Sequence, residues 1–193
     1  DLIIPAKEVG GDLYDYYIRD GLLFFCIGDV SGKGVPAAMV MTVTHTLFRA
    51  VSSHETSPAR IVSVMNTSLA QSNESEMFVT FFIGVLNLAS GHLQYCNAGH
   101  NPPLWLADGI KKLPVEPNLP LGVEDEFSFQ EQEVCLRYDD ALFLYTDGLT
   151  EAENASAQLF GEERVQEVLH KRRNSMEHLK AMEEAVDQFV GEA

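Results

Sequence analysis

The stretch LLFFCIGDVSGKGVPAAM, residues 22–39, contains the strongest structural signals in the chain. Its first part, Leu22–Val30, is rich in apolar and aromatic side chains and predicts a buried strand. The glycine-rich turn that follows leads to Pro36, a residue favoured in the first turn of a helix. Residues 37–51 then predict a helix whose nearly charge-free surface indicates burial. Asp29 therefore lies where a strand gives way to a turn and a helix.

Further strands and helices are predicted along the rest of the chain. Six apolar runs predict strands: 77–88, 92–97, 103–107, 110–115, 127–136 and 141–146. Three more segments predict helices: 57–71, 162–173 and 176–190. Ser90-Gly91 and Asp108-Gly109 are typical of hairpin turns, and Asn174 with Glu177 predicts a capping box. The pattern indicates an α+β domain with antiparallel sheets.

The charge balance excludes several classes of function. The 193 residues contain 13 Lys and Arg against 29 Asp and Glu, a formal net charge of −16. Nucleic-acid binders need cations to displace counterions from phosphates, and anionic membrane surfaces also attract basic segments. We therefore expect no nucleic-acid partner and no direct membrane insertion. No apolar run is long enough to span a bilayer, and none resembles a secretory signal.

The three cysteines predict neither disulfides nor thiol chemistry. Cys26, Cys96 and Cys135 are odd in number, and none belongs to a Cys-x-x-Cys pair, which disfavours a disulfide framework and a structural zinc site. Each lies in an apolar, strand-like context that suits a small buried side chain. Because no arginine stands six positions after any of them, a cysteine-nucleophile phosphatase is rejected. A reducing cytoplasm is the compartment we expect.

Aspartates recur at the ends of strand-like segments. Asp12 lies in Gly10–Asp15, Asp29 ends the first apolar strand, and Asp147 follows another short apolar run. Carboxylates at strand ends beside glycine turns suit hard divalent cations such as Mg²⁺ and Mn²⁺. An isolated Asp-Gly is also a common turn, so the residues by themselves leave both interpretations open. The spacing of the glycines before Lys33 is wrong for a P-loop, and no EF-hand loop is present.

Six motifs in a fixed order resemble one protein family. They are EVGGDLYD (8–15), GDVSGKGVPAAM (28–39), CNAGHNPPL (96–104), LPLGV (119–123), YTDGLTEAEN (145–154) and FGEERV (160–165). Together they resemble the bacterial SpoIIE/RsbU-like branch of the metal-dependent protein phosphatases, the PPM or type 2C superfamily. The resemblance implies an αββα sandwich of two antiparallel sheets flanked by helices. It also implies hydrolysis of phosphoserine or phosphothreonine by a water that two Mn²⁺ or Mg²⁺ ions activate.

The resemblance also implies roles for individual residues. Asp29 matches the aspartate that bridges both metals, and Val30 matches the neighbour that offers its backbone carbonyl. Asp12 matches the acidic position near the second metal, and Asp147 matches the aspartate that holds the first. The metal ligands expected from the resemblance are therefore Asp12, Asp29, Val30 and Asp147, and the three aspartates are the expected catalytic residues. No protein nucleophile is required, because a metal-activated hydroxide attacks the phosphorus.

Weaker expectations concern the residues around these positions. Gly11 and Gly148 match small neighbours that allow the backbone to come close to the metals. His100 lies in the string NAGHNPP, where Asn97 favours a rigid turn and a structural role for the histidine. Lys33 is a candidate contact for substrate phosphate.

The function expected from the resemblance is a phosphoprotein phosphatase in bacterial signalling. Its substrate would be a phosphorylated STAS-type anti-sigma-factor antagonist, and an upstream sensory or regulatory domain would control it. The alternative is a phosphatase-like regulatory module that binds a partner without turnover. Three separated metal carboxylates favour the enzyme.

The resemblance further implies a single phosphatase domain over residues 1–193 that is cut at both ends. The family has another metal aspartate on a late strand, and the sequence stops at Ala193, where that strand would begin. Because Mg²⁺ and Mn²⁺ replace missing ligands with water, we predict that residues 1–193 bind Mn²⁺ more weakly than a longer parent protein and release little phosphate. Calorimetric titration and phosphate release, run on both proteins, test this. Equal affinity and turnover would contradict the ligand count.

Overall fold

The computed structural model of the chain describes residues 11–71, 77–170 and 174–191. In these ranges the strands are β1 (Leu13–Arg19), β2 (Leu22–Val30), β3 (Val79–Asn87), β4 (His92–Ala98), β5 (Leu104–Leu106), β6 (Ile110–Lys112), β7 (Gln132–Cys135) and β8 (Ala141–Phe143). The helices are α1 (Gly34–Ser52), α2 (Pro58–Gln71), α3 (Asp147–Thr150), α4 (Gly161–Leu169) and α5 (Ser175–Val190). All strand pairs are antiparallel. The predicted α+β fold with two antiparallel sheets is confirmed.

The first compact unit comprises residues 11–102 and 114–138 among those described. Its sheet has the strand order β1-β2-β3-β4-β7, and α1 and α2 pack against one face. Alternation along β2 directs every second side chain to that face, where Phe24 joins Phe48 of α1 and Ile61 of α2 in a fully buried core. The residues between, which include Asp29, point to the opposite face.

The second compact unit comprises residues 103–113, 139–170 and 174–191 among those described. It contains the three-stranded sheet β6-β5-β8 and the helices α3, α4 and α5. Its core gathers Leu104 and Tyr145 around Phe160, Val165 and Met182, all buried. Because α4 and α5 place apolar side chains on one side only, each helix covers this core and leaves its charged side in solvent.

The predicted secondary structure agrees with the structure at most elements. β2 spans the predicted residues, and both predicted hairpins are present, β3 with β4 and β5 with β6. The capping box is confirmed, since the Asn174 side chain accepts from Glu177 N and the Glu177 side chain accepts from Asn174 N. The strand predicted at 127–136 is shorter, because only residues 132–135 pair with a neighbour. The helix predicted at 162–173 ends at Leu169 in the described residues, and 171–173 lie outside them.

The predicted burial of the charge-free helix is wrong on one side. α1 contacts the sheet through Ala37 and Phe48, but Val35, Met39 and Val43 are 69%, 66% and 47% exposed. These three residues are spaced four apart, so they share the side of the helix that faces away from the sheet. Within the described residues, no helix combines the length and hydropathy needed to cross a membrane.

Strand β1 was not among the predicted strands, although the sequence carries a signal for it. Asp20-Gly21 forms the two-residue turn between β1 and β2, and both residues have positive φ, 51° and 77°. Positive φ at both positions is characteristic of type I′ hairpin turns, for which Asp-Gly is a preferred sequence. Together with the aromatic, alternating segment before it, this dipeptide predicts the hairpin that carries Asp12.

A cluster of charged side chains connects β1 to α1. The carboxylate of Asp15 accepts hydrogen bonds from Nε and Nη2 of Arg49 and lies 2.8 Å from Nε2 of His45. The Arg49 guanidinium also covers the ring of Tyr17 at 4.5 Å. Partial burial by itself raises the pKa of Asp15, but the bonds from Arg49 and His45 outweigh it and lower the pKa. The cluster therefore stabilises the fold with Asp15 ionised.

Replacing this carboxylate should weaken the fold. We predict that Asp15→Asn lowers the free energy of unfolding by about 1–3 kcal/mol at neutral pH, because it removes charge-assisted bonds. Since the folded-state pKa is lowered, this difference should be complete above about pH 4 and should shrink as the pH falls further. Urea denaturation at several pH values measures it.

The matched control for Asp15→Asn is Asp20→Asn. The Asp20 side chain is 89% exposed and reaches Arg19 only at 3.8 Å, and asparagine tolerates its positive φ. Asp20→Asn should leave the stability nearly unchanged. Equal effects of the two substitutions would contradict the role of the cluster.

Candidate functional site

Two of the predicted metal ligands lie opposite each other, Asp29 in β2 and Asp12 directly before β1. The register of β1 and β2 places Asp12 directly opposite Asp29, and the ladder continues beyond them with Val30 N donating to Gly11 O at 3.3 Å. Residues opposite each other in an antiparallel pair project from the same face, with Cβ atoms about 5 Å apart. Like charges in this arrangement repel each other. A divalent cation held between the two carboxylates would offset that repulsion.

The position of these aspartates suits an accessible site. Asp29 and Asp12 are half-buried and belong to the sheet face opposite α1 and α2. Val30, the next residue of β2, is buried against the helices. The sheet therefore fixes the backbone that carries the carboxylates while the side chains keep access to solvent.

Gly11 is held close to the Asp29 carboxylate. A Cβ atom at this position would lie 3.0 Å from the Val30 carbonyl oxygen and 3.3 Å from Oδ1 of Asp29. Both distances are shorter than ordinary van der Waals contacts, so a side chain would displace one of these oxygens. The sequence expectation that Gly11 allows a close approach is in accord with this geometry.

The turn after β2 is held by two hydrogen bonds between Ser31 and Phe78. Ser31 N donates to Phe78 O at 2.8 Å, and Phe78 N donates to Oγ of Ser31 at 2.8 Å. Gly32 and Gly34 have φ of 113° and 75°, values that residues other than glycine rarely adopt. The exposed Lys33 between them has an extended backbone and precedes the first residue of α1.

Asp147 lies in the second unit, at the first position of the short helix α3. Its side chain is exposed, and its backbone carbonyl accepts from Glu151 N at 2.8 Å and from Thr150 Oγ1 at 3.1 Å. A Cβ atom at Gly148 would meet Thr146 Oγ1 at 3.6 Å, which is an ordinary contact. Steric crowding by described atoms therefore does not explain the glycine at 148.

The donor atoms of the β1–β2 site fit a hard cation. Two carboxylates and a neighbouring backbone carbonyl offer oxygen ligands, which Mg²⁺ and Mn²⁺ prefer. Within residues 11–71, 77–170 and 174–191, no group of three or more His, Cys, Asp or Glu side chains is arranged to hold a metal ion. Backbone carbonyls and water would therefore complete the coordination at Asp12 and Asp29.

Two of the three cysteines, Cys26 and Cys96, are buried as predicted, and the prediction is wrong for Cys135. Burial raises the pKa of the Cys26 thiol well above its usual value and that of Cys96 to about 12. Both thiols therefore remain protonated at neutral pH and are poor nucleophiles. Cys135 is exposed on β7, at the edge of the five-stranded sheet.

The sequence motif NAGH forms the rigid turn that was predicted. The Asn97 side chain accepts from His100 N at 3.0 Å and donates to His100 O at 2.8 Å. His100 is buried, and its Nδ1 lies 2.9 Å from Oγ1 of Thr80. Thr80 pairs with Asp29 across β2 and β3. No sequence signal distinguishes Thr80, because threonine is a common strand residue.

Comparison with known proteins identifies the family. The sequence profile described as Stage II sporulation protein E (SpoIIE) matches residues 19–193, most of the chain. The chain belongs to the SpoIIE family. The resemblance seen in the sequence motifs is thereby confirmed.

Individual relatives of this SpoIIE-family chain agree in sequence and fold. It is 32% identical over 195 residues to Protein IcfG of Synechocystis sp., which covers 86% of the chain and 31% of IcfG. It is 32% identical over 161 residues to the phosphoserine phosphatase RsbP of Bacillus subtilis, which covers 80% of the chain and 40% of RsbP. The structure of the SiaA PP2C domain of Pseudomonas aeruginosa superposes with a TM-score of 0.82 at 21% identity, over 95% of this chain and 76% of that one.

The SpoIIE-family chain is also 27% identical over 150 residues to the phosphoserine phosphatase RsbU of Bacillus subtilis, which covers 77% of the chain and 45% of RsbU. The chain spans less than half of the length of the curated relatives IcfG and RsbP. The single phosphatase domain expected over residues 1–193 stays a prediction, as do the individual metal ligands.

Filling the space at Gly11 should disturb the site. We predict that Gly11→Ala lowers the free energy of unfolding by about 1–3 kcal/mol, because the new methyl group crowds the Val30 carbonyl and the Asp29 carboxylate. It should also weaken Mn²⁺ binding in a calorimetric titration. The control is Gly109→Ala, since a Cβ there meets no described atom within 4 Å. Unchanged Mn²⁺ affinity in Gly11→Ala would show that Gly11 does not influence metal binding.

Proposed function

We propose that this SpoIIE-family chain hydrolyses phosphoserine or phosphothreonine on a bacterial signalling protein, with the help of two Mn²⁺ or Mg²⁺ ions. The observation that carries the proposal is the pair of half-buried carboxylates, Asp12 and Asp29, that the register of β1 and β2 holds opposite each other. Like charges directly opposite each other repel, and a divalent cation bound between these carboxylates would offset that repulsion.

The proposal gives each residue a definite task. Asp29 would contact both ions, while Asp12 and the carbonyl of Val30 would contact one of them, directly or through water. Asp147 is proposed as a ligand of the other ion because its Asp-Gly sequence matches the family motif. When bound, two such ions lower the pKa of a water and neutralise charge on the phosphoryl oxygens. The chain's own contribution is to hold oxygen ligands in fixed positions.

The start of α1 supports binding of a phosphate group near these carboxylates. The first turn of α1 contains no acidic residue, and the exposed Lys33 precedes it. A helix N-terminus favours anions through its unpaired N–H groups and its dipole. In a chain with a net charge of −16, Lys33 and this acid-free first turn would favour the approach of a phosphate group.

The proposed substrate is a phosphorylated STAS-type anti-sigma-factor antagonist in the cytoplasm. The relatives RsbU and RsbP of Bacillus subtilis are phosphoserine phosphatases, which supports a phosphoserine protein as the substrate class. Because those relatives are more than twice as long as the matching segment, we also propose that a regulatory domain accompanies this one in its parent protein. The competing hypothesis, a phosphatase-like module without turnover, predicts partner binding with no release of phosphate.

Removing the bridging carboxylate should abolish activity without unfolding the chain. We predict that Asp29→Ala in the full-length protein lowers Mn²⁺-dependent phosphate release by at least about a hundredfold, because both ions lose a ligand. Asp12→Asn should weaken Mn²⁺ binding with a smaller loss of turnover. Phosphate release from a phosphoserine protein and from p-nitrophenyl phosphate measures both variants.

The control for these substitutions is Asp139→Asn, an exposed aspartate of the second unit. It should retain wild-type turnover, and circular dichroism should show all variants folded. Turnover of Asp29→Ala within about tenfold of wild type would contradict the assigned role of Asp29. A wild-type protein that binds Mn²⁺ and partner but releases no phosphate would favour the module without turnover.

A further inference from the structure

A hydrogen-bonded chain connects the buried His100 to the backbone of Asp29. Nδ1 of His100 lies 2.9 Å from Oγ1 of Thr80, and this hydroxyl donates to the Asp29 carbonyl oxygen at 3.4 Å. Thr80 is also the direct cross-strand partner of Asp29, as Asp12 is on the other side. The side chains of Asp12, Asp29 and Thr80 therefore form a row on one face of the sheet. His100 contacts this row at Thr80.

The turn that carries His100 has little freedom to move. Asn97 bonds to both the N–H and the carbonyl of His100, and a backbone bridge joins Gly99 to Phe81. Gly99 has a φ of +71°, and a Cβ there would lie 2.8 Å from Cγ of Pro120. A side chain at 99 is therefore excluded, and the imidazole is presented to Thr80 by a fixed backbone.

Thr80 contacts β2 at the peptide unit between the two proposed ligand residues. The carbonyl that Thr80 contacts belongs to the peptide unit between Asp29 and Val30. Because that unit is planar, a bond to its carbonyl restrains the backbone of both residues that it joins, Asp29 and Val30. A hydrogen bond to this carbonyl therefore acts on both proposed ligand groups together.

We infer that Thr80 and His100 are positioning residues, which hold the end of β2 in the geometry that the metal requires. The inference rests on the proposed function. A buried imidazole is costly to desolvate, and its bond to the half-buried Thr80 hydroxyl offsets part of that cost. Metal sites depend on such outer contacts, whose removal typically weakens metal affinity by about tenfold to a hundredfold. Neither residue is assigned a contact with substrate.

The test compares substitutions that differ in a single hydrogen-bonding group. Thr80→Val keeps the shape but removes the hydroxyl, whereas Thr80→Ser keeps the hydroxyl. His100→Asn keeps an acceptor or donor near the position of Nδ1, whereas His100→Leu removes it. The matched control is Thr44→Val, because Thr44 is fully buried and its hydroxyl donates to Val40 O at 2.8 Å within α1.

Mn²⁺ affinity of the full-length protein is measured by calorimetry, and thermal unfolding is measured without metal. Thr80→Val should raise the Mn²⁺ dissociation constant by about tenfold, with kcat restored at saturating Mn²⁺. Thr80→Ser and His100→Asn should bind Mn²⁺ like wild type, and His100→Leu should resemble Thr80→Val. In the metal-free protein, amide hydrogen exchange of residues 28–32 should be faster in Thr80→Val than in Thr44→Val.

Two results would overturn the inference and leave the proposed function intact. One is wild-type Mn²⁺ affinity in Thr80→Val, and the other is an equal loss of affinity in Thr44→Val, which would indicate general destabilisation. Failure of the wild-type protein to bind Mn²⁺ would instead overturn the proposed function, and the positioning role with it. Loss of affinity in Thr80→Val, rescue by Thr80→Ser and no effect of Thr44→Val would establish the role.

Discussion

The antiparallel register of β1 and β2 is the constraint on which the candidate site depends. Because side chains alternate between the two faces of a strand, a slip of one residue would move Asp12 to the helix-covered face and away from Asp29. The type I′ turn at Asp20-Gly21 sets the register at one end of the hairpin. At the other end, the bond from Val30 N to Gly11 O continues it past the two aspartates.

The two faces of β1 carry different charged groups with different functions. On the face toward the helices, Asp15 is neutralised by Arg49 and His45 of α1, and this pairing stabilises the unit. On the other face, Asp12 meets Asp29, a like charge, at the same end of the sheet. Asp15 is thus paired with side chains of α1, whereas Asp12 faces a second carboxylate, and that second arrangement is the one that we propose for binding a cation.

The donor atoms at the end of β2 suit the metal-dependent chemistry that we propose. The chain belongs to the SpoIIE family, and burial raises the pKa of its Cys26 and Cys96 thiols, which makes both poor nucleophiles. Oxygen ligands at a strand end can position a metal-activated water without any protein nucleophile. The strongly acidic composition opposes approach of a phosphorylated protein in general, so the acid-free start of α1 beside Lys33 gains importance for substrate access.

Local sequence patterns predicted the elements, and motif resemblance predicted the family. The apolar run of β2, the hairpin turns and the capping box of α5 depend on neighbours within a few residues, so sequence alone was sufficient for them. The exposed side of α1 was mispredicted because a lack of charge does not tell which residues face a partner layer. The start of the strand predicted at 127–136 is wrong for a similar reason, since strand pairing requires a neighbouring strand that the sequence alone does not identify.

Only the tertiary structure decided which residues surround the proposed metal ligands. Residues 12, 29, 80 and 100 are far apart in the sequence, and the order of strands in the sheet makes them neighbours. The sequence could suggest Asp12 and Asp29 because the motifs around them are distinctive. It gave no indication of Thr80, because a threonine in a strand acquires a special role only through the partner that long-range pairing places beside it.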